Sequence, residues 1–284
     1  MKFLAFQNPS QQTGLAIETA NGFKGLLDNH AHYPGNLQRL IEQGPEALNA
    51  AAQTLANGAL IDEASITYLP PVPAPEKIIC VGLNYRDHAA ETGFEPPTYP
   101  TLFARYNSTL IGHQANIIKP ALSDQLDFEG ELVAIIGTGG KDITEANALQ
   151  HVAGYSIFND ASIRDYQFKS PQWTAGKNFD ATGAFGPYFV TADALAPGCV
   201  GIKLTTHLNG KVVQSGNTND LIFPVAQIIA ICSSFMTLKA GDVIVTGTPA
   251  GVGIGRKPPL FMKDGDVCTV TVEGIGTLAN PVKA

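Results

Sequence analysis

The chain has 284 residues, an apolar fraction of 44% and only 15% charged residues, a composition typical of a compact globular protein. Its net charge is -7 and its lysines and arginines are scattered, which disfavours nucleic acid and anionic membranes as partners. No apolar run has the form of a signal peptide or the length of about 20 residues that spans a bilayer, so we expect a cytoplasmic protein.

The first part of the chain predicts a small N-terminal α/β domain over residues 1–69. A few short strands precede an Ala-rich helical segment around Leu48 to Leu55. The run PPVPAP then places four prolines in six positions, which forbids a helix or a central strand. We therefore place a linker at residues 70–76 and a larger domain at residues 77–284.

This larger domain is predicted to be mainly β-sheet. Glycines separate short β-prone runs, among them KIICVG, GELVAIIG, AGYSIFND, GDVIVTG and DVCTVTVEG. The Asn209-Gly210 pair predicts a hairpin with a type I′ turn. Helices are expected in FPVAQIIAICSSFMTL and from Asp87 to Thr92. The fold class is therefore α+β with a predominance of strands. The four cysteines form no C-x-x-C pair and are expected to be buried and reduced.

The run DFEGELVAIIG carries the first chemical signal. A strand would place Glu129 and Glu131 on one face, because side chains alternate with a period of two. Two neighbouring carboxylates on an otherwise apolar strand repel each other unless a cation or solvent compensates. These residues alone leave both interpretations open, a cation site or a solvated sheet face.

Asp160 closes another β-prone run, GYSIFND, and could complete a set of three carboxylates. Ligation by oxygen alone suits a hard cation such as Mg²⁺ or Mn²⁺ better than zinc. Taken alone, Asp160 fits a turn or a helix N-cap equally well.

Three further polar residues follow Asp160. Arg164 and Gln167 are spaced i and i+3, and Lys177 lies in the run AGKNFD. An arginine offers a fork matched to carboxylates, and a lysine offers a point charge that could stabilise an oxyanion or enolate. The alternative for each of them is an ordinary solvated surface residue.

The segment GLNYRDHAAETG contains a candidate general base. His88 and Glu91 are spaced i and i+3, so one helical turn would bring them together. A carboxylate that orients a histidine raises its basicity and prepares it to deprotonate water. An exposed helical pair without a catalytic role is the alternative.

A glycine-rich run, TGTPAGVGIG, begins at Thr246. Its spacing matches neither G-x-G-x-x-G nor the Walker A motif, and RKPP follows where a dinucleotide-binding fold needs a helix. The run is either a loop that approaches a small ligand through its backbone and Thr248, or a purely structural turn.

The order of these segments closely resembles the fumarylacetoacetate hydrolase family, from about Lys77 to Val282. The matching motifs are VGLNYRDHAAE, DFEGELVAIIG, GYSIFNDASIRDYQ, GKNFD, VTGTPAGVG and GDVCTVTVEGIGTLANPV. The resemblance implies a mixed β-sandwich roll, of the type found in the family's C-terminal domain, and a homodimer.

The resemblance also implies roles for individual residues. It assigns a divalent cation, Mg²⁺ or Mn²⁺ with Ca²⁺ as a candidate in crystals, to Glu129, Glu131 and Asp160. Catalytic roles fall to His88, Glu91 and Lys177, and the substrate pocket takes in Tyr85, Arg164, Gln167 and Thr248. Where relatives often have Ala before the Arg, this chain has Ile163 preceded by Ser162.

The function expected on this basis is metal-dependent hydrolysis of a carbon-carbon bond in a 2,4-dioxo acid, such as an acylpyruvate, to pyruvate and a carboxylic acid. Decarboxylation of an oxaloacetate-type substrate, or isomerisation of an unsaturated 2-oxo diacid, needs the same stabilised enolate and remains an alternative. A metabolite-binding protein without turnover is the non-enzymatic alternative.

Overall fold

A computed structural model describes residues 1–87 and 97–284 of the chain. Strands predominate in it, in agreement with the mainly β α+β class expected from the sequence. They are β1 Lys2–Gln7, β2 Thr13–Thr19, β3 Gly22–Leu27, β4 Ala59–Leu60, β5 Thr67–Tyr68, β6 Ile78–Gly82, β7 Thr101–Arg105, β8 Leu110–Ile111, β9 Ile117–Ile118, β10 Leu126–Asp127, β11 Gly130–Ile136, β12 Val152–Asp160, β13 Ser162–Ile163, β14 Gly183–Thr191, β15 Lys203–Leu208, β16 Lys211–Asn217, β17 Val243–Val245, β18 Val267–Val272 and β19 Gly276–Lys283.

Helices are short within the described ranges. They are α1 Leu37–Gln43, α2 Pro45–Leu55, α3 Glu145–Ala148, α4 Arg164–Gln167, α5 Thr174–Lys177 and α6 Val225–Phe235. Helix α2 begins at a proline, whose missing N–H costs nothing in the first turn. The predicted helices around Leu48 and Ile228 are confirmed as α2 and α6, whereas the one from Asp87 to Thr92 falls largely outside the described residues.

The described residues form two main sheets and one short two-stranded sheet. The large sheet runs in the order β4-β3-β2-β1-β14-β12-β11-β17-β6-β7, with β5 paired to β1 and β8 to β14. The smaller sheet runs β16-β15-β18-β19-β9, and β10 pairs with β13. Most neighbours are antiparallel, but β17 and β6 are parallel. The predicted hairpin is confirmed, since Asn209 and Gly210 join β15 to β16 with positive φ angles of 50° and 78°.

Strand β11 lies at the centre of the large sheet and is buried on both faces. Leu132 and Ala134 belong to a core shared with α6 and the smaller sheet. Val133 and Ile135 belong to a second core with α1 and α2 on the opposite face. Burial on both faces explains why this strand reads as a continuous apolar run rather than an alternating one. It also gives the residues at the start of the strand a rigid base.

The N-terminal strands extend the large sheet, because β1 pairs with β14 through Phe3 and Phe189. The proline-rich segment at residues 70–76 contains neither helix nor strand. The division into 1–69, 70–76 and 77–284 remains a prediction.

All four cysteines are buried and free, as expected, and burial raises the pKa of Cys199, Cys232 and Cys268 to about 12. No helix in the described ranges combines the length and apolar character that a bilayer crossing requires.

His113 packs between the N-terminal strands and β19. Its ring meets Tyr68 edge-on at 4.6 Å, and its Nδ1 accepts a hydrogen bond of 2.9 Å from the Ala279 amide. Burial lowers the pKa of His113 to about 4 from its ordinary 6.5, against a smaller opposing effect of the Glu63 carboxylate. The folded chain therefore holds this side chain as the neutral imidazole.

A pH dependence of stability follows for His113. In the unfolded chain His113 takes up a proton below about pH 6.5, whereas in the folded chain it does so only near about pH 4. The free energy of unfolding should therefore decrease as the pH is lowered from about 6.5 to about 4. His113→Asn keeps an acceptor for the Ala279 amide without titrating. Urea unfolding at several pH values measures the free energy of unfolding. That free energy should decrease less steeply with falling pH in His113→Asn than in the control His32→Asn, whose substitution lies at an exposed residue. Equal slopes for the two variants would contradict the assignment.

Candidate active site

Three carboxylates converge where β11 begins and β12 ends. Glu129 immediately precedes β11, Glu131 is its second residue, and Asp160 is the last residue of β12. Pairing of Gly130 with Asn159 sets the two strand ends side by side. One oxygen of each carboxylate lies within 4.8 Å of the others, and the three residues are buried. The sequence-based hypothesis of a convergent set is thus matched by the geometry.

Lys177 bridges two of these carboxylates from α5. Its Nζ lies 2.6 Å from Glu129 Oε2 and 2.5 Å from Asp160 Oδ2, and 4.8 Å from the centre of the Phe103 ring. Burial alone would lower the pKa of Lys177, but the charges of Asp160 and Glu129 outweigh it and raise the pKa above its ordinary value. The side chain is therefore a fixed positive charge and is unsuited to act as a general base.

Arg164 and Gln167 contact each other across one turn of α4. The guanidinium Nη1 donates to Gln167 Oε1 at 2.8 Å, and Nη2 lies 2.7 Å from Glu129 Oε1. Its Nε donates to Asp127 Oδ2 at 2.8 Å. Burial opposes the charge of Arg164, but Asp127 and Glu129 more than offset that effect and raise its pKa. The buried arginine thus fixes the orientation of Glu129.

Asp127 was not singled out from the sequence, although it stands two residues before Glu129. It is fully buried and accepts hydrogen bonds from the Gly253 and Ile254 amides at 2.7 and 2.9 Å. It therefore anchors the glycine-rich loop to the arginine that holds Glu129. The period of two in DFEGE was the available signal, since it places Asp127 on the same face as both glutamates.

Arg105 is a second residue that sequence reasoning missed. It ends β7, is buried, and forms an ion pair with Asp160 while donating to Thr182 Oγ1 at 2.6 Å. Its partner Asp160 lies 55 positions further along the chain. No local pattern links such distant residues, so only the fold reveals the pair.

The cluster carries more negative than positive charge. Its four carboxylates and three cations are all buried, and if every group is ionised the excess is one negative charge. The members are Asp127, Glu129, Glu131 and Asp160 on one side and Arg105, Arg164 and Lys177 on the other.

Glu131 bears the consequence of this excess. Burial, followed by the charges of Asp160 and Glu129, raises its pKa well above the ordinary value, although the Gly247 amide donates to Glu131 Oε2 at 2.5 Å. A divalent cation among the three carboxylates would remove the penalty for ionising Glu131. Three converging oxygens with excess negative charge fit a hard cation such as Mg²⁺ or Mn²⁺.

The glycine-rich loop closes over the start of β11. Thr248 Oγ1 donates to the Gly130 carbonyl at 2.9 Å and accepts from Gln214 Nε2 at 2.8 Å. A Cβ at Gly253 would lie 1.8 Å from the Leu260 carbonyl oxygen, so only glycine permits this approach. The loop therefore has a structural role, and it also presents Thr248 to the site.

A cavity of about 310 Å³ opens above the carboxylates. The side chains that line it include both glutamates and several sequence-predicted residues, namely Glu129, Glu131, Arg164, Gln167, Lys177 and Thr248. Its remaining wall is largely apolar and includes Phe103, Phe168 and Trp173. Burial of charged groups beside an apolar wall is typical of a small-molecule site.

Of the predicted site residues that the structure describes, Tyr85 and Asp160 are not among those lining this cavity. Tyr85 is completely buried, and within residues 1–87 and 97–284 its hydroxyl has no hydrogen-bond partner. Burial, followed by the charge of Glu131, raises its pKa. His88 and Glu91 lie outside the described residues, so their pairing remains a prediction.

A larger cavity of about 810 Å³ lies among the N-terminal strands. Its polar lining includes His30, His32 and Asp62, which are exposed. These exposed side chains form no buried cluster of charged groups such as the one beneath the smaller cavity. The smaller cavity, with its buried charges, is therefore the candidate active site.

The family model described as fumarylacetoacetate (FAA) hydrolase C-terminal matches residues 77–283. The chain belongs to the fumarylacetoacetate hydrolase family. It is 38% identical over 286 residues to an oxaloacetate tautomerase, mitochondrial, of Xenopus laevis, with 99% of this chain and 89% of the relative covered. The family predicted from the sequence motifs is thus confirmed, and so is the fold that this resemblance implied. The members of this family are enzymes.

Solved structures of family members superpose over the whole chain. A fumarylacetoacetate hydrolase from psychrophilic Exiguobacterium antarcticum is 41% identical with a TM-score of 0.86, covering 100% of this chain and 99% of that one. A maleylpyruvate hydrolase from Sphingobium is 28% identical with a TM-score of 0.81 and the same coverage. The relatives thus include hydrolases and tautomerases, and the fold does not select between these reactions.

Substitution of Glu131 tests the excess charge. Glu131→Gln removes the carboxylate whose ionisation is most disfavoured, so the melting temperature in EDTA should rise above that of the unsubstituted protein. The same change should weaken Mn²⁺ binding by more than about tenfold, and the stabilisation by Mn²⁺ should be lost. Asp124→Asn, at a side chain that is 99% exposed, is the control. A stabilisation by Mn²⁺ that survives Glu131→Gln would contradict the assignment.

Cation binding should also depend on pH. Since burial and the charges of Asp160 and Glu129 raise the pKa of Glu131, cation binding should release a proton, and the affinity should fall as the pH is lowered. Calorimetry of Mn²⁺ binding in buffers of different ionisation enthalpy measures this proton release. A pH-independent affinity without proton release would show that Glu131 is already ionised.

Proposed function

We propose that this chain is a metal-dependent hydrolase that cleaves a carbon-carbon bond in a 2,4-dioxo acid, giving pyruvate or a related 2-oxo acid and a carboxylic acid. The observation that carries the proposal is the buried ammonium of Lys177 between Glu129 and Asp160, at the floor of a cavity of substrate size. Such a site supports a reaction that passes through an enolate, because fixed positive charge favours a developing oxyanion.

A divalent cation, Mg²⁺ or Mn²⁺, held by Glu129, Glu131 and Asp160 would supply Lewis-acid polarisation of the 2-oxo group. Lys177 contributes a second positive charge, which its raised pKa preserves throughout the neutral range. It acts without a proton transfer of its own.

Arg164 and Gln167 orient the substrate in this proposal. Their hydrogen bond at 2.8 Å aligns a guanidinium and an amide along one side of the cavity. The amide can reach a carbonyl or carboxylate oxygen of the substrate, and the guanidinium keeps Glu129 in place. Thr248 closes the opposite side, where its hydroxyl is held by Gly130 and Gln214.

Hydrolysis further requires an activated water. The sequence provides His88 and Glu91 at i and i+3, and we assign His88 as the general base and Glu91 as the group that orients it. In the proposed step the water oxygen adds to the C4 carbonyl carbon while its proton goes to His88. The C3–C4 bond then breaks, C4 leaves as the carboxylic acid, and the electron pair of that bond forms the enolate of the 2-oxo acid, whose oxyanion lies beside Lys177. The protonated His88 holds a proton that C3 of the enolate can accept. Protonation of that enolate at carbon completes the products.

Keto-enol tautomerisation of an oxaloacetate-type acid is the second candidate. Relatives named oxaloacetate tautomerase align over almost the whole chain at 38% identity. This reaction needs the cation site and Lys177, but it needs no attack by water. Decarboxylation of such a substrate shares the same requirements.

Product analysis distinguishes these reactions. Acetylpyruvate, fumarylpyruvate and oxaloacetate would be incubated with Mg²⁺ or Mn²⁺, and in parallel with EDTA. Release of pyruvate and a free carboxylic acid, abolished by EDTA, is the expected result. Metal-dependent enol conversion or carbon dioxide release from oxaloacetate, without cleavage of any 2,4-dioxo acid, would replace the hydrolase with the second candidate.

Substitution of His88 separates hydrolysis from enolisation. His88→Ala should reduce hydrolysis of a 2,4-dioxo acid by about 10²-fold or more, since a positioned general base contributes that much. Binding of Mn²⁺ and proton exchange at C3 of a 2-oxo acid should be retained. His207→Ala, at a histidine on β15, is a matched control. Full hydrolytic activity of His88→Ala would exclude the role in water activation.

A further inference from the structure

The cavity combines charged and aromatic lining residues. Beside the carboxylates and cations, Phe103, Phe168 and Trp173 contribute aromatic surface, and Lys177 Nζ lies 4.8 Å from the centre of the Phe103 ring. Phe168 is 61% exposed, which is unusual for a large apolar residue beside a charged site. We call these three residues the aromatic wall.

Trp173 is held in a defined position within the aromatic wall. Its ring packs against Phe103 with centroids 5.4 Å apart and planes at 64°. A Cβ added at Gly82 would lie 2.3 Å from the tip of the Trp173 ring, so the ring occupies the space that a side chain at this position would fill. Gly82 is not in the left-handed region, which leaves this close approach as the reason for a glycine.

Among the described residues that line the cavity, each cation is already paired with carboxylates and so is not available to a second carboxylate of a substrate. Of the described residues lining the cavity, the cations are Arg164 and Lys177, and both are paired with carboxylates. Lys169 does not line the cavity and lies over the Tyr166 ring at 3.4 Å. A carboxylate placed against the rings of the aromatic wall would exchange part of its hydration for apolar contact, and no unpaired cation among the described lining residues would compensate for that loss.

We propose that the aromatic wall selects substrates whose 2-oxo acid head carries a short, uncharged, apolar tail, and that Trp173 sets the length of that tail. The inference rests on the proposed function for the nature of the head. It assigns the chain to simple acylpyruvate-like substrates rather than to those ending in a second carboxylate. Trp173 thereby acts as a specificity-determining residue.

Binding of 2-oxo acids that lack a cleavable 2,4-dioxo group tests this proposal independently of turnover. Isothermal titration calorimetry with Mn²⁺ present would compare pyruvate, 2-oxobutanoate, 2-oxohexanoate and 2-oxoadipate. Each methylene that contacts the aromatic wall should increase affinity by about fourfold. The acid-terminated 2-oxoadipate should bind at least about tenfold more weakly than 2-oxohexanoate. Because Trp173 is the only tryptophan in the sequence, its fluorescence should change on binding of the longer acids.

Two variants change the position of the Trp173 ring in different ways. Trp173→Ala removes the ring, and Gly82→Ala displaces it by a methyl group while leaving Trp173 in the chain. Each should change the affinity ratio of 2-oxohexanoate to pyruvate by about fivefold or more, whereas Phe235→Ala, at an exposed residue outside the cavity lining, should not. Gly82→Ala carries the test if Trp173→Ala does not fold.

The outcomes separate this inference from the proposed function. Equal affinities for 2-oxoadipate and 2-oxohexanoate, or an unchanged ratio in both wall variants, would overturn the selection by the aromatic wall. Failure of every 2-oxo acid to bind would instead contradict the proposed function. Tail selectivity without hydrolysis would support the wall and exclude only the hydrolytic reaction.

Discussion

Burial of unlike charges at the open ends of β11 and β12 is the constraint on which the site depends. Each cation of the cluster forms an ion pair with at least one buried carboxylate. Arg164, for example, contacts both Asp127 and Glu129. Breaking such a pair leaves an uncompensated buried charge, which costs about 3–5 kcal/mol. The ion pairs therefore hold the cluster in one arrangement. The remaining excess of negative charge disfavours ionisation of Glu131, and a bound cation would relieve that effect.

The surrounding fold holds this cluster in place. Strand β11 is covered on both faces, so the carboxylates at its start cannot retreat into solvent without disturbing two cores. Asp127 joins the glycine-rich loop to Arg164, and Arg105 joins β7 to Asp160. The aromatic wall stands on the same elements, since Phe103 belongs to β7 and Trp173 precedes α5. Substrate selection and charge placement thus share one scaffold.

Local patterns in the sequence predicted much of this site. The period of two indicated Glu129 and Glu131, the end of a β-prone run indicated Asp160, and these three carboxylates converge in the structure. Arg164 and Gln167 were predicted to bind an anionic substrate, and that role remains a prediction. The roles of Arg105 and Trp173 could not be predicted, because Asp160 and Gly82 are distant in sequence and no periodicity encodes such contacts. The pairing of β1 with β14 escaped prediction for the same reason, since a sheet edge is completed by the fold as a whole.

The central claim is that the buried cluster stabilises the enolate of a 2-oxo acid through a cation and Lys177. Deuterium incorporation at C3 of 2-oxobutanoate in heavy water with Mg²⁺, followed by NMR, measures that step without requiring bond cleavage. We predict rapid exchange that EDTA abolishes and that Lys177→Met slows by about 10²-fold or more, provided the variant retains its fold by circular dichroism. Exchange that continues at the same rate in EDTA or in the folded Lys177→Met variant would contradict the account.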